Sequence, residues 1–440
     1  MRTRYAIIGT GHRAQMYLDA ISGEHADVAE LVAMFDLNPG RMDWYRSQYP
    51  AFSEVEAHPP DALEEVCGRL GVTRLIVTSI DRTHREHVVR ALEAGMDVVV
   101  EKPLTIDAES ARAVAEAAER TGREIVVTFN YRYSPRNSTL REVIASGRIG
   151  TPLSMVFEWV LDTSHGADYF RRWHRDKANS GGLFVHKASH HFDLASWWLD
   201  ATPRSVVARG GTKFYGADAA RERGQEVRAE RGTHDGEHDP FELDLRRDDR
   251  LQHLYLEQEH HDGYRRDQSV FAPGVTTEDT LTALVDFEGG SILTYVLNAH
   301  SPWEGYRVAV NGTKGRAELE VVERAEVDPS ADGPAKVDPS VLDATAGVRG
   351  RGERLIVQRH FAPAEEVEIV QGSGAHGGGD ALMLAEVFRG PQQDPLSRAA
   401  DWHDGLRAIS IGVAGNESLA TGNPVDIRAH LGLDVSSGAR

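Results

Sequence analysis

The chain has 440 residues, of which 40% are hydrophobic and 27% are charged, as in soluble globular proteins of two or three domains. Its formal net charge of −19 argues against binding to nucleic acids or anionic membranes, because both need a basic protein surface. The single cysteine, Cys67, excludes an intramolecular disulfide bond and is typical of a reducing compartment.

The amino terminus leads straight into a predicted strand. No apolar signal core follows Met1, and no stretch of the sequence is as long as a membrane-spanning helix. We therefore predict a cytoplasmic protein.

The first predicted strand, residues 4–9, runs into a glycine-rich turn, Gly9-Thr10-Gly11-His12-Arg13-Ala14. An amphipathic stretch that is typical of a helix follows over residues 15–21. Gly9 permits a tight turn, Gly11 lets the backbone approach a pyrophosphate, and Ala14 is small enough for the helix to pack on the strand. The free N–H groups at the start of that helix would face the phosphates. The pattern predicts a dinucleotide site.

The second predicted strand, residues 29–36, ends in Asp36. A carboxylate at this place can accept hydrogen bonds from both ribose hydroxyls and would repel a 2′-phosphate. No arginine follows Asp36 directly, although Arg41 is close in the sequence. The sequence therefore predicts NAD as the cofactor, with NADP less favoured.

Strands and helices then alternate up to residue 129. Helices are predicted over residues 60–70, 83–94 and 106–121, the last with Asp107 as a plausible N-cap, and strands over 73–78, 98–103 and 124–129. Alternation of this kind predicts a Rossmann fold, an α/β domain with a doubly wound parallel sheet. We assign residues 1–129 to an NAD-binding domain.

The strand Val98-Val99-Val100-Glu101-Lys102-Pro103 is the feature on which the functional prediction depends. Three consecutive valines suit a parallel strand that is covered on both faces. Pro103 cannot donate to a sheet and biases Lys102 away from helix, so the strand ends there. An ammonium group thus stands at the carboxyl end of a parallel strand, where open α/β sheets bind their ligands.

Residues 130–440 follow a different pattern, with a helix at 136–146 and a strand at 153–161. Later strands, at 281–287, 291–297, 306–311 and 317–322, are joined by short glycine-rich turns and predict an antiparallel sheet. Two helices are predicted near the end, at 381–388 and 403–421. We predict an α+β domain for substrate binding and oligomerisation, built on a large, mostly antiparallel sheet.

Two segments of this second domain lack clear periodicity. The charged segment at about 210–273 is interpreted either as a solvated insertion or as a lid or subunit arm over the active site. Residues 327–353 are predicted to form a loop excursion.

A histidine-rich stretch, residues 180–199, is predicted to form one helix after Gly181-Gly182. His186 and His190 are four residues apart and would share one face of that helix, one turn apart. His191 would point elsewhere. Two histidines on one face, with Lys187 nearby, indicate a functional site.

The chain resembles the glucose–fructose oxidoreductase, inositol dehydrogenase and MocA family (Gfo/Idh/MocA). The resemblance rests on the glycine-rich turn, on Glu101-Lys102-Pro103, on Gly147-Arg148-Ile149-Gly150 and on the helix that contains His190 and Asp193. It implies that Lys102 and His190 are catalytic. An aspartate usually stands one turn before that histidine, and here the position holds His186. The family's Thr-Pro-Asn is also altered, to Ser79-Ile80-Asp81.

The chemistry of hydride transfer from a secondary alcohol needs a base for the hydroxyl proton and a positive group near the developing oxyanion. His190 suits the first role because imidazole titrates near neutral pH, and Lys102 suits the second. Burial should lower the pKa of Lys102, so that it could share in proton transfer. With His186 in place of an aspartate, we predict a weaker base or a different proton route than in relatives; alternatively, His186 only binds substrate hydroxyls.

The full set of predicted site residues extends from these catalytic groups, Lys102, His186 and His190. The predicted cofactor contacts are Gly9, Thr10, Gly11, His12, Arg13, Ala14, Asp36, Asn38, Arg41, Thr78, Ser79, His84, Glu101, Lys102 and Asn130. The predicted substrate contacts are Lys102, Tyr131, Arg132, Trp159, Asp162, Trp173, His174, His186, Lys187 and His190. Indole faces beside polar groups suit a polyhydroxylated ring, although a structural role is equally open for either tryptophan.

A catalytic metal is the less favoured alternative. His186 and His190 have the helical spacing of two ligands, and His234, His238, His260 or His261 could add a third. The family does not usually need a metal, so we predict none.

The sequence as a whole predicts an NAD-dependent oxidoreductase that acts on a secondary hydroxyl of a sugar, a cyclitol or a derivative. One alternative is a redox glycosidase or lyase that oxidises its substrate transiently so that elimination can follow. Another is a non-catalytic sensor of sugar or NAD. The resemblance also implies a homodimer or homotetramer formed through the second sheet.

Overall fold

A computed structural model describes residues 2–225, 229–327, 349–350, 352–369, 378–390 and 393–435. The predicted loop excursion at 327–353 lies almost entirely outside these residues. Of the helices described, none combines the length and the apolarity that crossing a bilayer requires.

The first part of the chain forms a six-stranded parallel sheet with the strand order β3-β2-β1-β4-β5-β6. Every strand of this sheet is parallel to its neighbours, and the order is that of a dinucleotide-binding fold. The prediction of a doubly wound sheet is confirmed. The strands are β1 (Thr3–Ile8), β2 (Ala29–Phe35), β3 (Glu56–His58), β4 (Arg74–Val77), β5 (Asp97–Val100) and β6 (Ile125–Val127).

Five α-helices connect these strands and cover the sheet. The longest ends at Gly122 and begins after Asp107, whose carboxylate accepts a hydrogen bond from Ser110 N, as an N-cap does. The helices are α1 (Ala14–Ser22), α2 (Pro39–Gln48), α3 (Leu63–Leu70), α4 (His84–Glu93) and α5 (Ala108–Thr121).

The second sheet has nine strands in the order β14-β13-β12-β11-β7-β10-β9-β8-β15. β7 and β10 run parallel to each other, and the other neighbouring pairs are antiparallel. The glycine-rich turns after residues 287 and 311 form hairpins, as predicted. The strands are β7 (Pro152–Asp162), β8 (Pro203–Gly211), β9 (Thr280–Phe287), β10 (Ile292–Ser301), β11 (Glu304–Gly312), β12 (Gly315–Arg324), β13 (Gly352–Arg359), β14 (Ala364–Val367) and β15 (Val425–Asp426).

Helices cover the inner face of this sheet. The central helix of this layer, Ala188–Leu199, is buried along its whole length. The helix Trp402–Thr421 approaches Phe184 closely at Gly412, because a Cβ at Gly412 would lie 2.3 Å from Phe184 O. The helices are α6 (Pro135–Ala145), α7 (His165–Arg171), α8 (Lys177–Ser180), α9 (Leu183–His186), α10 (Ala188–Leu199), α11 (Ala217–Glu222), α12 (Asp249–Leu254), α13 (Glu259–Asp262), α14 (Gly379–Arg389), α15 (Trp402–Thr421) and α16 (Ile427–Leu431).

The histidine-rich stretch is not one helix, which corrects the prediction for residues 180–199. α9 ends at His186 and α10 begins at Ala188. The carbonyl of His186 accepts from Lys102 Nζ at 3.2 Å and from Ser189 Oγ at 3.1 Å. His190 N instead donates to Lys187 O, only three residues back. The interruption coincides with the carbonyl to which Lys102 of the other domain donates.

The charged segment between β8 and β9 folds back onto the parallel sheet. Leu245, Leu251 and Leu254 are buried in the same core as Leu18 and Met42 of the first domain. Full burial of one such leucine contributes about 1.5–3 kcal/mol, so this contact is not that of a solvated insertion. The structure favours the other interpretation, a segment that covers the site.

Candidate active site

The glycine-rich turn connects β1 to α1 at the carboxyl end of the parallel sheet. Gly9 has φ +91°, and a Cβ at this residue would lie 2.5 Å from the backbone of Ser79, so only glycine fits. The carbonyl of Gly9 accepts from Thr78 Oγ1 at 2.6 Å. Ala14 is fully buried where α1 begins. The turn has the close helix–strand packing that a dinucleotide site needs.

Asp36 follows β2 and lies beside the turn. Its carboxylate accepts from Thr10 N at 2.5 Å and from Thr10 Oγ1 at 2.9 Å, and the other oxygen accepts from Asn38 N at 2.8 Å. Arg41 lies 3.8 Å from Asp36 and forms a closer ion pair, 2.8 Å, with Asp262. Arg41 therefore already has an acidic partner within the protein.

The charged segment reaches the glycine-rich turn through Tyr255. His12 N donates to the hydroxyl of Tyr255 at 2.8 Å, although the two residues are 243 positions apart. Asn38 Nδ2 donates to Gln258 O at 2.9 Å, which anchors the same segment next to Asp36. We call residues 249–264 the strap. The strap covers the turn of its own chain, so no neighbouring subunit is needed for this cover.

Glu101 ties the glycine-rich turn to β5. Its Oε1 accepts from Arg13 Nε at 2.6 Å and from Tyr17 OH at 2.8 Å. Both donors lie on or next to α1, which carries the turn. These contacts favour an anchoring role for Glu101 and Arg13 over direct contact with the cofactor.

β5 ends at Val100, earlier than the predicted strand 98–103, so Lys102 is the second residue after it, and its peptide bond to Pro103 is cis. Its Nζ lies 3.3 Å from His186 Nε2 and 3.2 Å from His186 O. Burial lowers the pKa of Lys102 to about 8, although the nearby carboxylates of Asp81 and Glu101 oppose this shift. Lys102 of the Rossmann domain thus contacts His186 of the second domain, whereas the sequence predicted Lys102 and His190 as the pair of groups that handle the proton and the charge.

His186 also contacts a carboxylate that the prediction did not include. Its Nδ1 lies 2.5 Å from Oδ2 of Asp81, a buried residue in the short turn after β4. Burial drives the pKa of His186 well below its usual value and raises that of Asp81. Lys102, His186 and Asp81 thus form a continuous chain of polar contacts, which we call the relay. The sequence did contain a sign of Asp81's role: the altered family motif Ser79-Ile80-Asp81 stands at the carboxyl end of the parallel strand β4.

Aromatic side chains surround the relay. The ring of His174 lies 4.1 Å from that of His186, centroid to centroid, and stacks on Trp173 at 3.5 Å. Tyr169 contacts both histidines at 5.5 Å. The predicted contacts Trp173 and His174 are therefore next to His186, where ring faces and polar atoms alternate.

His190 lies on the other side of the α9–α10 break, next to Tyr131. The two rings are 4.6 Å apart, and Phe129 is 5.9 Å from His190. Lys187 donates to Tyr131 OH at 3.4 Å and lies 5.0 Å above the ring of Trp159. The structure thus groups His190, Tyr131 and Lys187, as predicted for substrate contacts, at the interruption between α9 and α10.

Three predicted substrate residues have partners that favour structural roles. Arg132 is buried and donates to Asp193 at 2.6 and 2.9 Å, with Asp404 also in contact. Trp159 is fully buried between the rings of His191 and Tyr306. Asp162 pairs with Arg324 at 2.7 Å and accepts from two backbone N–H groups.

Three predicted cofactor residues also lie in ordered contacts at this edge of the sheet. Ser79 Oγ is 2.7 Å from Thr83 Oγ1, and the ring of His84 joins Pro103 O at 2.8 Å to Ser79 O at 3.2 Å. Asn130 donates to Asp380 at 2.6 Å. His84 therefore links the ends of β4 and β5, from which the relay's Asp81 and Lys102 extend.

Two family descriptions match this sequence in order. Residues 3–129 match the oxidoreductase family's NAD-binding Rossmann fold, and residues 141–427 match the C-terminal alpha/beta domain of the same family. The chain belongs to the Gfo/Idh/MocA oxidoreductase family. The predicted resemblance is thereby confirmed, and the chain is an NAD-binding oxidoreductase.

Known Gfo/Idh/MocA proteins resemble the chain to different extents. A Bacillus subtilis (strain 168) protein named as an oxidoreductase, YteT, is 31% identical over 439 residues, covering 96% of each chain. The inositol 2-dehydrogenase of Rhizobium meliloti (strain 1021) is 29% identical over 208 residues, 47% of this chain and 58% of that protein. The crystal structure of myo-inositol 2-dehydrogenase from Lactobacillus plantarum has the same fold, with a TM-score of 0.62, 16% identity and coverage of 97% and 99%.

Proposed function

We propose that this protein transfers hydride between NAD and a secondary hydroxyl of a sugar, a cyclitol or a derivative. The observation that carries the proposal is the relay, in which Lys102 Nζ lies 3.3 Å from His186 Nε2 at the carboxyl end of β5. The names of inositol dehydrogenases among its relatives support a polyhydroxylated substrate. Aromatic rings beside the relay suit the apolar faces of such a ring.

The residues at the glycine-rich turn fit NAD. Gly9 lets the turn pack directly against Ser79, whose backbone a Cβ would meet at 2.5 Å, and Asp36 stands where a ribose is expected. Arg41 is paired with Asp262, which lowers its value as a partner for a 2′-phosphate and supports NAD over NADP. When bound, the nicotinamide would accept or donate the hydride.

A side chain of the protein, Lys102, can accept the hydroxyl proton and stabilise charge on the reacting oxygen. A lysine with a pKa of about 8 is in part a neutral amine at neutral pH, and this amine can accept the hydroxyl proton. The resulting ammonium then stabilises negative charge on the same oxygen during reduction. We propose that Lys102 contacts the reacting oxygen in both directions.

His186 and Asp81 provide the route for that proton. With its Nδ1–H donated to Asp81, the neutral ring of His186 presents a lone pair at Nε2 to Lys102. The proton can then pass from Lys102 to His186 while the other ring proton moves toward Asp81. His190, on the opposite side of the helix break, stays a predicted substrate contact, because Lys102 here takes the role of base that the sequence predicted for His190.

The test is an assay of the purified protein with NAD⁺ and a panel of sugars and cyclitols, followed by NADH absorbance. We expect NADH formation with at least one substrate, and its loss by a factor of about 10² or more in Lys102→Met. If Lys102→Met and His190→Ala each formed NADH at the rate of the unchanged protein, the proposed roles would be contradicted.

A second candidate is a redox-neutral lyase or glycosidase that retains NAD through the reaction. The strap favours it, because Tyr255 and Gln258 cover the glycine-rich turn from the same chain. In such a reaction product forms from a glycoside while no net NADH accumulates. Chromatography of the products beside the absorbance assay distinguishes the two candidates.

We further propose a cytoplasmic homo-oligomer that assembles through the nine-stranded sheet. Cys67 is a buried free thiol, and burial raises its pKa to about 12, so it is kept unreactive. Large apolar side chains on the outer face of the sheet, including Val156 and Leu284, are exposed. Exposed apolar groups on a sheet face support a partner surface.

A further inference from the structure

Three potential metal ligands converge in the charged segment, outside the catalytic relay. His234, His238 and Glu242 each offer one ligand atom, and these atoms all lie within 4.8 Å of one another. His234 Nε2 is 3.0 Å and His238 Nδ1 is 3.2 Å from Oε2 of Glu242. Both distances are within a few tenths of an ångström of the spacing between ligands around a tetrahedral ion with bonds of about 2.0–2.2 Å.

Three nitrogen atoms lie close to one carboxylate oxygen, Oε2 of Glu242. Oε2 of Glu242 is approached by both imidazoles and also accepts from Asp239 N at 3.2 Å. The two imidazole rings stack with centroids 4.5 Å apart, and one nitrogen of each ring faces the same carboxylate oxygen. A cation between the three side chains would bind one nitrogen of each ring and the carboxylate.

The surroundings resemble those of a built metal site. His238 turns its Nδ1 toward Glu242 and its Nε2 toward Oδ2 of Asp244, 3.8 Å away. A carboxylate near the second nitrogen of a ligating histidine helps to orient the ring, and Asp244 lies at ion-pair distance from that nitrogen. Side chains of Glu242 and Asp244 are largely buried, whereas the histidines are partly exposed, which leaves a path for an ion.

The loop that carries the ligands is held at its neck. Leu245 N donates to Thr233 Oγ1 at 2.9 Å. Arg246 donates to His234 O at 2.6 Å and to Asp244 at 2.9 Å, so it joins the two ends of the loop. Ligands are thereby positioned before any ion binds, which reduces the entropy cost of binding.

We propose that His234, His238 and Glu242 bind one divalent transition-metal ion of the zinc class, with solvent completing the coordination. Two imidazoles and one carboxylate form a donor set that zinc accepts readily. The ion would brace the loop at residues 232–244, which continues into the strap over the glycine-rich turn. This site does not include the relay. Both ring nitrogens of His186 are in contact with Lys102 and Asp81, so the site differs from the catalytic metal considered above, for which His186 would be a ligand.

The test uses the untagged, full-length protein after treatment with EDTA and dialysis. Titration with ZnCl₂ in a calorimeter should saturate at one ion per chain. The isosteric change Glu242→Gln, and separately His238→Gln, should weaken binding by at least about 100-fold, since changes around a metal's ligands alone cost 10–100-fold. An unchanged far-ultraviolet circular-dichroism spectrum of each metal-free variant shows that it has folded.

A matched control is His253→Gln, in the same segment. His253 Nδ1 lies 2.8 Å from Oε2 of Glu257, which makes an imidazole–carboxylate pair in which no third ligand takes part among the residues described. This variant should bind zinc as the unchanged protein does. Absence of saturable binding in the unchanged protein, or equal affinity in Glu242→Gln, would overturn the proposal.

Cobalt gives an independent measurement. Co²⁺ added to the metal-free protein should develop the intense visible bands of a four-coordinate site, and these should be lost in Glu242→Gln. A weak, six-coordinate spectrum that is the same in both proteins would refute the three-ligand site.

Discussion

At the scale of single residues, the proposed relay takes the place of the aspartate that the family resemblance implies at position 186. His186 occupies that position, and Asp81 places a carboxyl group on its Nδ1 from the other domain. The carboxyl group is therefore separated from Lys102 by an imidazole. This arrangement supports the predicted alternative of a different proton route, because Lys102 now reaches the carboxylate only through His186.

Asp81→Asn tests the proton route. The amide cannot accept the proton from His186 Nδ1 as a carboxylate does, so we expect kcat to fall by roughly 10²-fold. Binding of NAD⁺ should change little, because Asp81 contacts His186 and not the glycine-rich turn. Steady-state kinetics and NAD⁺ titration measure the two effects. The control Asp61→Asn changes an exposed carboxylate of the same domain. Equal kcat in both variants would contradict the relay.

The pH dependence of oxidation follows from Lys102. Its neutral form is the one that accepts the proton, and burial lowers its pKa from 10.5 to about 8. The rate should therefore rise with pH and level off above about 8, instead of rising through 10.5. A pH profile of kcat measures the midpoint. A rate that is flat from pH 7 to 9, or that falls over this range, would exclude Lys102 as the base.

At the scale of elements, the strap shows how a charged segment becomes part of a cofactor site. Asp262 of the strap pairs with Arg41, while Leu251 and Leu254 enter the core beside α1 and α2. The hydroxyl of Tyr255 then meets the backbone of the glycine-rich turn. An element of this kind closes over the first domain although it is inserted in the second.

Tyr255→Phe tests whether the strap retains the cofactor. Loss of one hydrogen bond of about 1 kcal/mol should accelerate NADH release by about fivefold. Stopped-flow fluorescence of bound NADH, displaced by excess NAD⁺, measures the rate. Tyr49→Phe removes a hydroxyl that bonds to Asp19 instead and serves as the control. Identical release rates in all three proteins would show that the strap does not limit exchange.

At the scale of the whole molecule, the nine-stranded sheet has one face under helices and one face toward solvent. Along β7, Met155 and Phe157 are buried while Val156 between them is 47% exposed. Leu284 of β9 is 52% exposed, and both residues pair with Thr294 of β10, so they share one row across the sheet. This row is the centre of the proposed subunit contact.

Charges introduced into that row test the assembly. We expect Val156→Lys combined with Leu284→Lys to reduce the mass measured by light scattering to that of one chain, since buried like charges repel across a two-fold interface. Leu382→Lys, which alters an exposed leucine of α14, should leave the mass unchanged. A monomeric mass for the unchanged protein would contradict the proposal.

The sequence by itself determined the parts that depend on neighbours in the chain. The glycines at 9 and 11, the acid at the end of β2 and the lysine at the end of β5 act through turn geometry and strand position, which are local properties. Alternating strands and helices, and then glycine-rich hairpins, separated the parallel from the antiparallel sheet for the same reason. Family membership followed from the same motifs.

Only the tertiary structure decided which distant groups meet. Asp81 and His186 are 105 positions apart, and His12 and Tyr255 are 243 apart, so no local pattern pairs them. The break between α9 and α10 likewise lies where Lys102 donates to the carbonyl of His186, a contact that helical periodicity does not reveal. Propensity and periodicity fix elements, whereas the relay and the strap depend on how two domains pack, because side-chain contacts at long range are set by that packing.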